Sequence, residues 1–217
     1  MKTESDRLDS LATALATAAP EFDEHVALAV YRRLAEGSPA PAADIAERAD
    51  APVERVKRHL SSWPGVYLDD QDSVIGFWGL TITRLSPTHR LEVDGRELFA
   101  WCAWDTLFLP GILDATARVE SACPTTGATI SLVVSPNGVL ETSHPEAVVS
   151  FLTPEQHFDA DVIQSFCHFV HFFTSSEAGE TWATKHPGTF LLSLDNAFEL
   201  GRRVNALNFP SELGSRR

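Results

Sequence analysis

The sequence predicts an α+β protein in which a helical, winged-helix-like N-terminal module joins a β-rich mixed core with flanking helices. Three features carry this reading. Up to Trp63, short segments show apolar residues at helical spacing. Residues 66–79 alternate around a polar tip, and from Leu80 onward runs rich in β-branched and aromatic residues recur between turn signals. Residues 11–19 and 21–36 read as helices, the second presenting Val26, Leu28, Ala29, Val30 and Leu34 and closed by Gly37. After the turn SPAPA, Ala43 to Arg48 suits a short helix. Pro52 then opens another through Val53, Val56, Leu60 and Trp63, which Pro64-Gly65 stops. VYLDDQDSVIGFWG reads as a hairpin around DDQDS, and three helices followed by a hairpin give the winged helix-turn-helix outline of residues 1–80.

The remaining residues, 81–217, form the predicted core. GLTITRL, HRLEV, ATISLVVS, AVVSFL and SFCHFVHFF suit strands, with turns at Asp94-Gly95 and Asn137-Gly138. Helices are expected from Glu97 to Leu109, ended by Pro110-Gly111, from Glu177 to Lys185 with Thr174 and Glu177 as a capping box, and from Asp195 to Leu207. There is no internal repeat and no low-complexity tract.

At 217 residues, with 44% hydrophobic and 22% charged residues, the chain can bury its own core as one moderate domain or two small ones. The net charge of -13 opposes undirected binding to nucleic acid or an anionic membrane. Arg55, Lys57, Arg58 and His59 would lie on a recognition helix. Yet residues 1–80 hold eight Lys+Arg against fourteen Asp+Glu, the reverse of a DNA module's basic footprint, so no nucleic-acid partner is expected. No apolar run approaches the roughly 18 residues of a membrane helix, and acids stand where a signal peptide would be basic. Three widely spaced cysteines, Cys102, Cys123 and Cys167, suit free thiols in a reducing compartment, so a cytoplasmic location is expected.

The segment from Leu98 to Leu107 sets Cys102 and Asp105 three residues apart, on one face of the predicted helix, among Phe99, Trp101, Trp104 and Phe108. A thiol beside a carboxyl in apolar surroundings pairs a soft nucleophile with an acid whose proton affinity burial raises. The same Cys among aromatics also reads as a small core residue, although an Asp inside an apolar stretch is uncommon unless paired or functional. In Ser165 to Phe173, strand alternation would put Cys167, Phe169, His171 and Phe173 on one face. A zinc site there lacks a CxxC or HxxxH partner. Cys123, before a Pro and a Gly, reads as a packed loop or strand-edge residue. No GxSxG, HExxH or glycine-rich phosphate loop is present.

HRLEVDGRELFAWCAWDTLFLPGIL, VESACPTTGATISL and SFCHFVHFFTSSEAGETWATKHPG, in that order and spacing, resemble the alkylmercury lyases, the organomercurial lyases of bacterial mercury resistance. The likeness extends from the helical module to the C-terminal helix. It implies a winged-helix-like N-terminal module that is not chiefly a DNA reader, joined to a β-rich catalytic core. It also implies that Cys102 and Cys167 engage mercury, that Asp105 beside the metal moves the proton, and that Cys123 is structural. Trp101 matches a family aromatic near the pocket. Some relatives carry Ser at the acid's position, whereas this chain retains Asp105 and departs only at packing positions such as Trp104. The implied reaction is protonolysis of a carbon–mercury bond, R–Hg–X + H+ giving R–H and Hg(II).

That reaction needs no resident cofactor. It takes an organomercurial substrate, leaves Hg(II) as bound product and calls on external thiols for release, with mercuric reductase or small cytosolic thiols as acceptors. Two other readings remain open on the residues alone: a metal-responsive winged-helix regulator using Cys102, Cys167 and His171, and a thiophilic metal-binding or transfer protein without catalysis.

Overall fold

A computed structural model describes residues 3–154, 158 and 161–214; residues 1–2 and 215–217, the outer ends of the two units read from the sequence, lie outside that set. Helix α1 (Glu4–Ala18) starts earlier than the apolar spacing suggests. Thr3 accepts from the Asp6 amide while the Asp6 carboxylate accepts from the Thr3 amide, so a reciprocal cap sets the start. Helix α2 (Glu24–Leu34), capped by Asp23, buries residues on nearly every side, Tyr31 among them, because other elements enclose it. Helix α3 (Ala42–Ala49) packs against α2, and α4 (Val53–Ser62) packs against α3. The expected hairpin follows as β1 (Val66–Leu68) and β2 (Val74–Phe77), its tip held by the Asp69 carboxylate accepting from the amides of Gln71 and Ser73.

The remaining strands are β3 (Leu80–Thr81), β4 (His89–Val93), β5 (Arg96–Ala100), β6 (Ala117–Ala122), β7 (Thr129–Ser135), β8 (Gly138–Thr142), β9 (Val148–Phe151), β10 (Phe172–Phe173) and β11 (Phe190–Ser193). Of the eleven strands among the described residues, eight form one antiparallel sheet in the order β1-β2-β3-β5-β4-β6-β7-β8, and three form a second in the order β10-β9-β11. The N-terminal hairpin is therefore hydrogen-bonded through β3 into the sheet that carries the core. Helices α5 (Asp105–Leu113), α7 (Ser176–Ala183) and α8 (Leu194–Asn208) pack on these sheets, with α8 lying against both α1 and α5, while the short α6 (Val162–Ser165) leads into a 3-10 turn. Together they make a mixed α+β fold. No helix among the described residues is long and apolar enough to cross a membrane.

Three expectations fail locally. The helix expected from Glu97 to Leu109 is a strand, a turn and a later helix. Asp94 and Gly95 adopt positive φ of 51° and 73°, which folds the chain back so that Leu98 faces Leu91 in the β4–β5 ladder, and a helix there would forfeit those bonds. Helix α5 then runs through Pro110 to Leu113 rather than stopping at Pro110-Gly111; burial of Leu109 and Ile112 outweighs the bond proline cannot make. The strand expected over Ser165 to Phe173 is instead the end of α6, a 3-10 turn at Cys167–Phe169 and the two residues of β10. Its amides bond locally, Phe169 to the Phe166 carbonyl and Val170 to that of Cys167, so Cys167 and His171 do not alternate on a strand face. A smaller correction concerns α7, which is capped by Ser175 rather than by Thr174.

Candidate functional site

The turn between β5 and α5 brings Cys102 and Asp105 together. Asp105 is the first residue of α5, and its Oδ2 reaches back to accept the amide of Cys102, three residues earlier, at 2.7 Å. The three-residue spacing thus produces the expected meeting, but through a helix start rather than a helix face. Cys167 arrives from the 3-10 turn, and the two segments are joined where the Ala103 amide donates to the Val170 carbonyl at 3.2 Å. The two sulfur atoms and a carboxylate oxygen lie within 4.8 Å of one another, and all three residues are buried, at 0%, 5% and 4% exposure for Cys102, Asp105 and Cys167.

Burial dominates the electrostatics. It raises the Asp105 carboxyl to about 7, although hydrogen bonds from the Cys102 side chain and from the Cys102 and Trp101 amides pull the other way. Burial, then the Cys167 thiol and the Asp105 charge, hold the Cys102 thiol well above its ordinary range. For Cys167 the hydrogen bond from Cys102 favours the thiolate, but burial and the Asp105 charge oppose it and the net displacement is upward. The site thus sets two protonated thiols around a carboxyl poised near neutrality.

An apolar cavity of about 60 Å³ opens on Asp105 and Cys167. Trp101 and Trp104 line it as expected, whereas Phe99 is held in β5 opposite Thr81 and Arg90. The N-terminal residues supply the facing wall with Phe22, Tyr31, Trp78 and Gly79, which the sequence reading did not single out. Their one visible signal is the Trp-Gly pair ending the hairpin. Tyr31 gives no such sign, because a Tyr at an apolar helix position reads as packing.

His171, expected beside the thiol, instead places Nε2 against the His168 carbonyl at 2.8 Å, with its ring edge-on to Trp182. Among the described residues, the group able to hold a metal ion is Cys102, Asp105 and Cys167. Cys123 stands apart, just after β6, its amide donating to the Ala128 carbonyl and its carbonyl accepting from Gly127. Burial would raise its thiol, but the Thr126 hydroxyl and the amides of Thr126, Thr174 and Thr125 hold it below its ordinary value. Cys123→Ser is expected to lower stability by about 1–2 kcal/mol and leave turnover within about twofold. Thermal melts and activity on one preparation check this, and a tenfold loss of activity at unchanged melting temperature would assign Cys123 to the chemistry.

With this geometry in view, the comparisons are specific. The sequence profile of the MerB family, alkylmercury lyase, matches residues 82–205. An alkylmercury lyase of Staphylococcus epidermidis (strain ATCC 12228 / FDA PCI 1200) is 44% identical over 178 residues, covering 82% of this chain and 80% of that protein. One of Pseudomonas putida is 40% identical over 185 residues, 85% of each. Among solved structures, the mercury-bound form of MerB2 superposes with a TM-score of 0.72 at 22% identity, over 93% of this chain and 98% of that one, a likeness of fold.

Proposed function

This chain belongs to the alkylmercury lyase family, and from that premise we propose that its carbon–mercury lyase activity is carried by Cys102, Cys167 and Asp105 acting as one unit. The observation that supports the assignment is the buried convergence of two soft sulfur ligands on a carboxyl raised to about 7. A carbon–mercury bond resists water because its cleavage expels a carbanion-like group, which leaves readily only if a proton arrives as the bond breaks. Soft thiolates select a soft ion and donate electron density to it, which weakens the metal–carbon bond. Mercury binding itself displaces the thiol protons that burial retains.

The atoms balance in three steps. One thiol replaces the exchangeable ligand, giving R–Hg–S and HX. The second thiol passes its proton to the Asp105 carboxylate and its sulfur joins the metal. The Asp105 carboxyl then protonates carbon, the mercury–carbon pair becomes the new C–H bond, and R–H departs while Hg(II) stays on two thiolates. An acid–base group near pH 7 suits a relay that must first accept and then give a proton at neutral pH.

Nothing in these steps calls for a resident cofactor. Because Hg(II) ends on two buried thiolates, its release requires exchange with external thiols, and mercuric reductase or small cytosolic thiols fit as acceptors. Free thiols and this dependence on reduced thiols also suit a cytoplasmic setting. Residues 1–80 fit a winged-helix-like module in the order α2, α3, α4 and hairpin, with residues 81–217 as the catalytic core. Its role here is to wall the pocket rather than to read DNA: Arg55, on the helix that would enter a groove, is paired with Asp23, and Lys57 lies beside Glu54. The direct test is purified protein with methylmercury and excess thiol under closed headspace. About one methane per methylmercury is expected, and mercury uptake with no hydrocarbon would leave a binding protein in place of a lyase.

A further inference from the structure

The hairpin ends in a backbone shape that needs explaining. Trp78 has φ of 32° and Gly79 has φ of 93°, and a bulky residue in the left-handed region is costly unless its surroundings enforce it. The enforcement is visible. The buried Tyr31 hydroxyl donates to the Trp78 carbonyl at 2.8 Å, the Trp78 indole donates to the Pro64 carbonyl at 2.7 Å, and the Gly79 carbonyl accepts the Trp101 amide at 3.0 Å. What this shape achieves is contact with the acid. A methyl group at Gly79 would stand 2.8 Å from Asp105 Oδ1 and 2.9 Å from its Cγ, so only bare backbone fits there. Asp105 is thus gripped on two sides, with Oδ2 on the Cys102 amide and Oδ1 against Gly79.

We propose that the Trp78–Gly79 turn, latched by the Tyr31 hydroxyl, is a positioning device for the reaction, seating the Asp105 carboxyl against Cys102 and closing its outer side. This rests on the role assigned above to Asp105 and adds Gly79 and Tyr31 as positioning residues that act through the Asp105 carboxyl. Displacing the carboxyl should slow proton delivery without weakening the two sulfur ligands, because a misplacement of about 1 Å can cost on the order of a hundredfold in rate.

The experiment measures single-turnover methane release at saturating methylmercury beside half-saturation for methylmercury and stoichiometry of Hg(II) on the thiols by ultraviolet absorption. Gly79→Ala is expected to lower the maximal rate by about tenfold or more, and Tyr31→Phe, which keeps the packed ring, by about three- to tenfold, with half-saturation and one Hg(II) per chain retained. A turn that only shaped the fold would lower the melting temperature yet leave the maximal rate of the folded fraction intact. Gly79→Ala in an Asp105→Ala background should also cost less melting temperature than in the native background, since the opposed carboxylate is gone. Wild-type rates in folded Gly79→Ala, or in Tyr31→Phe should the alanine variant not fold, overturn the proposal. Absence of methane from the native protein run alongside would instead overturn the lyase reading itself.

Discussion

Methylmercury mixed with a Cys167→Ser protein is expected to yield no measurable methane, the single-turnover rate falling by at least about a thousandfold. Residues that act as one catalytic unit fail together when one is removed. Serine keeps the size and the 3-10 turn but offers a hard oxygen where the reaction needs a soft donor. The substrate should still exchange onto Cys102, giving a protein that carries the organomercurial with its carbon–mercury bond intact, visible as a mass increase for R–Hg. Hydrocarbon release at the native rate would eliminate the two-thiolate mechanism, since Cys102, Asp105 and Cys167 are the described group able to hold the metal.

Asp105→Ala should separate binding from chemistry. Both thiols remain, so methylmercury is still taken up, but protonation of carbon should slow by about 10²- to 10⁴-fold, the usual worth of a positioned acid. The native enzyme should gain rate as pH rises through about 7, where the Asp105 carboxyl ionises and can accept the second thiol's proton, and the alanine variant should lack that inflection. Stability carries a signature of the opposite sign. The folded carboxyl titrates at about 7 against an ordinary 3.8, so the folded chain holds the proton more tightly than the unfolded one. This contribution is full below about pH 4 and is lost as pH rises through about 7. Melts of native and Asp105→Ala protein across that window should diverge with this sign, and parallel curves together with an unchanged single-turnover rate would remove Asp105 from its role.

The helical N-terminal order, the hairpin and the pairing of Cys102 with Asp105 were legible in the sequence because each rests on local chemistry: apolar spacing, turn residues and a three-residue interval. The failures lie where distant segments decide. Glu97 to Ala100 has helical propensity, yet the turn at Asp94-Gly95 commits it to a ladder with β4. Cys167 reads as part of an aromatic strand because a run of Phe and His satisfies period two, whereas its side chains are buried among several elements around a tight turn. Tyr31 and Gly79 escaped notice for a different reason. Their importance comes from contacts 47 and 26 residues away, to the Trp78 carbonyl and the Asp105 carboxylate, and no local pattern encodes these.

Cys102 is wholly enclosed, and its two companions nearly so. On the assignment proposed here, a heavy ion lodged at that depth would be quarantined: bystander proteins could not collide with it, and only a molecule slender enough to follow the substrate's route could carry it off. Custody of a poison is thereby a property of how far inside the protein it is kept, alongside the chemistry that liberates it.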